Sequence, residues 1–302
     1  MNGLPAISLI ATPGRRRQVI DAAVELERLG FPGIYCPSLG DALTLCADIA
    51  TRTSQIEVGT AIQPIYLQHP VALAGTAAHI HETSGGRFKL GIGVTHGPVH
   101  DRLGITPGRP LADIRDTVAR MREAAAQVGE LPPIVLATLR RRMVELSVEI
   151  ADGAVWANGS RSAMAASLAH VPAERRDAGF FVGNMIPTVV DEDREAAAAR
   201  NRKTLAGYVM LPNYRNYWKE AGYVEEMESI EQAIAEGDRE RISSSMTDAW
   251  LADCTLYGSA SEVRDGVEAW REAGVTTPIL VPSSTSGGQL TAVQELSAAL
   301  TG

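Results

Sequence analysis

Cysteine is scarce in this chain: three residues, Cys36, Cys46 and Cys254, among 302. An odd number so widely spaced excludes a disulfide framework and suits reduced thiols in a cytosol. Positive charge is also in short supply, with 28 Lys and Arg against 36 Asp and Glu and a net charge of −8. That balance argues against a protein that coats nucleic acid or an anionic membrane. No apolar run approaches the roughly 18 residues needed to span a bilayer. The N-terminal MNGLPAISLIATPGRRR lacks the basic-then-apolar order of a signal peptide. Internal repeats and low-complexity segments are absent as well. These absences lead to the expectation of a cytoplasmic globular protein, and a composition 45% hydrophobic and 21% charged agrees with it.

What is present is an alternation of short apolar runs and amphipathic stretches. Strands are expected at 6–12, 33–36, 56–62, 88–94, 133–138, 153–157, 180–190 and 278–281, with a helix after nearly every one. Gly30 and the Gly85-Gly86 pair read as helix stops, Asp41 as an N-cap and Pro70 as a helix start. Near-continuous apolar strands separated by helices imply parallel strands buried on both faces. Eight such units in a chain of this length lead to a (β/α)8 barrel, an α/β fold, with an open doubly wound sheet as the runner-up. Residues 191–257 are too long for one connecting helix and read as a helical insertion between the seventh and eighth strands of a single domain, 1–302.

The segment 84–96, SGGRFKLGIGVTH, carries paired glycines that invite comparison with a dinucleotide loop. Such a loop needs GxGxxG directly after a strand and opening a helix. Here Gly91 and Gly93 fall inside the strand, His96 stands where the third glycine belongs, and the prolines at 98, 107 and 110 lead to the expectation of a long loop. Glycine within a strand serves close approach of a ligand or a neighbouring strand. At the C-terminal end of a barrel strand, where active sites sit, Gly93 is expected to let a flat ring lie close.

The longer stretch 51–94, TRTSQIEVGTAIQPIYLQHPVALAGTAAHIHETSGGRFKLGIGV, resembles the bacterial luciferase-like flavin and deazaflavin oxidoreductases. ADGAV at 151–155 and GSASEVRDGVEAWREAGV at 258–275 extend the resemblance over nearly the whole chain. The resemblance implies a (β/α)8 barrel with an insertion before the last strand. It also implies coenzyme F420 (alternatively FMN) across the barrel mouth, a small-molecule substrate and a homodimer. A non-proline cis peptide would fall at Ala61–Ile62. Cofactor contacts would come from Gly93, Val94 and Thr95 and from Ala157, Asn158 and Gly159, and Ser160, after the sixth strand, is a further phosphate candidate. The histidine that many members carry after strand two is missing, and Ser38 is the nearest polar substitute.

Two arginine triplets, 15–17 and 140–142, begin helices after strands, where cations oppose the helix dipole unless an anion is near. Arg142 is therefore a candidate for the cofactor's phosphodiester and carboxylate tail, whereas Arg87, ahead of its strand, reads as structural. His96 is the candidate proton donor, because imidazole titrates near neutrality. The pair His79 and His81 falls short of the convergent ligands a metal needs, so no metal is expected. Trp156 suits either the pocket or the core, and Tyr208, Tyr214, Tyr217 and Trp218 suit either a substrate wall or helix packing. The leading reading is an F420-dependent oxidoreductase transferring a hydride to or from a small organic substrate. The alternatives are an FMN-dependent monooxygenase and a flavin-binding member without turnover.

Overall fold

The computed structural model describes residues 3–38 and 40–302, so Leu39 of the expected loop after strand two lies outside the described residues. The chain divides into two compact units, one running up to Trp156 and including His170–Gly183, the other comprising Ala157–Ala169 and Asn184–Gly302.

The first unit is a parallel sheet in which β1 (Ala6–Ser8), β2 (Gly33–Cys36), β3 (Glu57–Thr60), β5 (Phe88–Gly93), β6 (Ile134–Ala137) and β7 (Gly153–Ala157) are neighbours in that order. A two-residue strand, β4 (Gln63–Pro64), also pairs with β5. Helices α1 (Arg16–Arg28), α2 (Ala42–Arg52), α3 (Pro70–Thr83), α4 (Gly97–Leu103), α5 (Pro110–Val128) and α6 (Arg141–Ile150) follow the strands. The register Ser8↔Tyr35↔Gly59↔Lys89 sets those four residues on one face of the sheet. On that face the Tyr35 hydroxyl donates to Glu57, Lys89 pairs with Glu57, and the Phe181 ring lies 5.6 Å from that of Tyr35. Burial holds the Tyr35 hydroxyl well above its ordinary pKa.

Local signals behave as their chemistry requires. Asp41 caps α2 through the Thr44 amide, and Gly85 and Gly86 end α3 in left-handed conformations, with φ of 66° and 84°. Arg87 is structural: its guanidinium donates to the Ile56, Ala50 and Thr53 carbonyls at 2.7, 2.9 and 3.0 Å, satisfying groups at the end of α2 and the turn into β3. One expectation fails. No long loop follows β5, because α4 begins at Gly97 with Pro98 in its first turn, the one helical position where a missing N–H costs nothing.

In the second unit, β8 (Phe181–Val190, belonging here from Asn184) pairs in parallel with β9 (Leu256–Gly258) through Thr188↔Leu256, and also with β10 (Thr277–Ser283). Between β8 and β9 run five helices, Arg194–Val209, Pro212–Glu220, Val224–Glu236, Arg239–Ser244 and Asp248–Cys254. The insertion is thus helical as expected until its last residues, where β9 corrects the reading. Three residues, Leu-Tyr-Gly, are too few to announce a strand by periodicity, and their pairing with β8 makes them one. The core of this unit is an aromatic ladder. Tyr208 stands 5.0 Å from Tyr214, Tyr214 5.3 Å from Trp218, and Trp218 4.9 Å edge-on from Trp250.

Candidate active site

In the first unit the candidate residues gather where β3 and β5 end. Ala61, buried, and Ile62, half-buried, are joined by the non-proline cis peptide that the resemblance implied. The glycines of β5 serve the close approach of neighbouring chain. A Cβ on Gly91 would lie 2.0 Å from the Thr60 carbonyl oxygen, and one on Gly93 would lie 2.8 Å from the Ala137 Cβ and 3.1 Å from Ile62. Neighbouring chain by itself therefore already demands glycine at 93.

Beyond Gly93 the strand loses its ladder partners, and Val94 and Thr95 are half-exposed. Thr95 adopts φ of 59°, which for a β-branched residue costs on the order of 1–2 kcal/mol. His100, buried on α4, supplies an anchor. Its Nε2 lies 2.6 Å from the Val94 carbonyl and 2.9 Å from the Thr95 Oγ1. A carbonyl only accepts, so Nε2 carries the proton. The Tyr66 ring meets the His100 ring edge-on at 5.4 Å, and the Tyr66 hydroxyl donates to Asp113 at 2.6 Å, a bond that joins burial in raising the Tyr66 pKa.

His96, the N-cap residue of α4, is half-buried, and its pKa falls below the ordinary 6.5 through burial and then through the neighbouring charge of His100. At neutral pH it is an uncharged imidazole, fitted to take a proton more readily than to give one. Ser38 is exposed just past β2. Arg15, Arg16, Arg17 and Arg142 are exposed in the first turns of α1 and α6, and those turns hold no acidic residue. Trp156 is fully buried and shares a strand face with Ala154, so it fills the core.

In the second unit the turn after β7 is closed. Asn158, at φ of 55°, is buried, as are Gly159 and Ser160, while Ala157 is half-buried. The amides of the turn donate within the chain: Asn158 to the Met185 carbonyl, Gly159 to Asn184 Oδ1, Ser160 to the Tyr217 hydroxyl, and Ser162 to Asp253. The Trp218 indole N–H donates to the Asn158 carbonyl at 3.2 Å. Tyr217 and Trp218 are therefore core residues that grip this turn, and burial raises the Tyr217 pKa. Cys254, also buried, lies 3.4 Å from the Ser160 hydroxyl, and burial pushes its thiol pKa up.

Sequence reasoning gave no role to Tyr66, His100, Asp113, Asn184 or Asp253. Their contacts join segments far apart in the chain, for which spacing gives no signal. Among the described residues no three or more His, Cys, Asp or Glu side chains are grouped to hold a metal, and no helix is long and apolar enough to cross a membrane.

Parallel strands followed by helices, with candidate residues just past strand ends, are the pattern of a (β/α)8 barrel. The chain belongs to the luciferase-like monooxygenase family, which matches residues 6–277. It is 26% identical over 260 residues to a 5,10-methylenetetrahydromethanopterin reductase of Archaeoglobus fulgidus, covering 76% of this chain and 77% of that one. It is 24% identical to a putative coenzyme F420-dependent oxidoreductase of Mycobacterium tuberculosis, over 90% and 92% of the two chains. The solved coenzyme F420-dependent tetrahydromethanopterin reductase from Methanopyrus kandleri superposes with a TM-score of 0.79 over 99% of both chains at 17% identity, which shows the barrel fold.

Proposed function

We propose that this chain is a coenzyme F420-dependent oxidoreductase that transfers a hydride between the deazaflavin and a small organic substrate. The reading takes the chain as one barrel domain, 1–302, with 191–257 an insertion within it. The observation that carries it is the end of β5, where Val94 and Thr95, half-exposed and past the last ladder pair, lie beside the uncharged, half-buried His96. The relatives named for F420 support the choice of cofactor.

The residues present fit such a group. Ile62, Val94 and Thr95, each half-exposed, offer apolar and small polar surface to a flat ring. The exposed guanidinium groups of Arg15, Arg16, Arg17 and Arg142 suit a phosphodiester and carboxylates, a more negative tail than the single phosphate of FMN. In the second unit, the expected contacts Asn158, Gly159 and Ser160 are buried with their amides bonded within the chain, and the Trp218 indole takes the Asn158 carbonyl, so this turn has no free backbone N–H donor at those residues.

When bound, the deazaflavin supplies the hydride donor or acceptor. His96 then holds the proton side of the exchange. As a neutral imidazole it accepts the proton of a substrate hydroxyl as the substrate is oxidised, and Ser38 offers a second polar group to hold that substrate.

Titration of the protein with F420 and with FMN, followed by fluorescence, tests the cofactor. Micromolar or tighter binding of F420 is the expected outcome; tight FMN binding with no affinity for F420 overturns it in favour of a flavin monooxygenase, the reading that the family's description favours. The role of His96 is tested by pH. F420 reduction by a hydroxyl substrate should fall as pH drops through a pKa below 6.5 and stay level above it, and His96→Asn should abolish that limb while slowing the reaction about 10²-fold.

A further inference from the structure

We propose that His100, braced by Tyr66 and Asp113, is a positioning residue that sets the ring-binding end of β5 before any cofactor arrives. The inference rests on the reading of Val94 and Thr95 as cofactor contacts.

Four observations lead to it. The ladder of β5 ends at Gly93, so regular sheet bonding does not fix the two residues that follow. Thr95 nevertheless holds a left-handed conformation that its branched side chain disfavours, which requires an external restraint. The Nε2–H of His100 reaches both the Val94 carbonyl and the Thr95 hydroxyl, the two groups that define this conformation. Finally, α4, which carries His100, has seven residues and no side-chain cap, so it has little rigidity of its own to lend. Bracing comes from a second layer, in which the Tyr66 ring meets the imidazole edge-on and the Tyr66 hydroxyl is tied to Asp113 in the first turn of α5.

A histidine kept only for packing would be replaceable by an apolar residue of similar size. The bond from Nε2 makes a different demand: a donor at that distance from the backbone, which glutamine supplies and leucine does not. The array also explains why Asp113 turns toward Tyr66 and not to an arginine. The hydroxyl of the half-buried Tyr66 gains from an acceptor, and the carboxylate supplies a charged one.

The test measures the F420 dissociation constant by fluorescence titration, with thermal unfolding and amide hydrogen exchange of 94–105 recorded on the same samples. His100→Leu should weaken F420 binding about tenfold, as expected for one lost hydrogen bond to a strained segment, and speed exchange across 94–105 in the cofactor-free protein. His100→Gln should return the dissociation constant to within about threefold of wild type. Tyr66→Phe, which keeps the ring and releases Asp113, should weaken binding about threefold with the unfolding midpoint unchanged. If His100→Leu folds and binds as wild type does, or if His100→Gln binds as weakly as His100→Leu, the proposal is wrong. Should His100→Leu fail to fold, Tyr66→Phe decides, and unaltered binding there overturns the array. A wild-type chain that binds FMN and not F420 sinks the cofactor reading alone, and the same variants are then judged on FMN. A wild-type chain that binds neither sinks both.

Discussion

Thr95 and Asn158 invite comparison, since both are non-glycine residues with φ near 60° (59° and 55°) just past the end of a parallel strand. Thr95 is half-exposed and held by one imidazole, with a second imidazole, His96, adjacent. Asn158 is buried, and its turn is gripped by four groups from two segments: the Met185 carbonyl and the Asn184 side-chain oxygen of β8, and the Tyr217 hydroxyl and Trp218 indole of the helix Pro212–Glu220. The same backbone device is therefore built twice with opposite materials. One turn is set by buried groups, and burial raises the pKa of the Tyr217 hydroxyl and the Cys254 thiol beside it. The other is set by a polar contact that water and ligand can reach, which is where proton chemistry belongs.

The largest effect should come from breaking the packed turn. Trp218→Ala removes a fully buried indole between Tyr214 and Trp250 and should cost about 3–5 kcal/mol in urea denaturation. A loss under about 1 kcal/mol would mean that the ladder is not the core of its unit. Tyr217→Phe should cost less, about 1–3 kcal/mol, because it leaves the buried Ser160 amide without an acceptor while keeping the ring. On the open side, His100→Leu should cost less stability than Tyr217→Phe, since water can reach the half-exposed Val94 and Thr95 and replace the lost donor. If the two losses prove equal, the contrast between a packed and a solvated turn fails.

The two turns also differ in how far the sequence announces them. The barrel was legible because strand, helix and stop signals recur: Gly85-Gly86 ends α3, Asp41 caps α2, and the motif from 51 to 94 carries a family pattern into the end of β5. His96 and Thr95 were legible by position, being the first polar residues past that strand. The supports were not. Asn184, Tyr217 and Asp253 reach the turn after β7 from 25, 57 and 91 residues away, and no local period encodes such contacts. The aromatic residues at 208–218 were visible, yet the sequence left open whether they line a site or a core, because both uses ask for the same side chains. Gly93 was visible as well, but its reason, the Ala137 and Ile62 side chains, exists only once β5 lies beside its neighbours.

The smallest effect gives the sharpest comparison, because it should change sign between the turns. Threonine resists the left-handed region, whereas asparagine tolerates it through its short polar side chain. Glycine at 95 relieves a backbone cost of on the order of 1–2 kcal/mol, offset by the lost Thr95 hydroxyl contact and by about 0.5–1 kcal/mol of extra freedom in the unfolded chain. Thr95→Gly should therefore be neutral or slightly stabilising. Glycine at 158 relieves little backbone cost, adds the same freedom to the unfolded chain, and removes a buried side chain that interacts with the Tyr208 hydroxyl. Asn158→Gly should lose about 1 kcal/mol. Paired urea titrations read the difference directly. If Thr95→Gly loses as much as Asn158→Gly, Thr95 is held as tightly as Asn158, and the open turn is as much a part of the packed scaffold as the closed one.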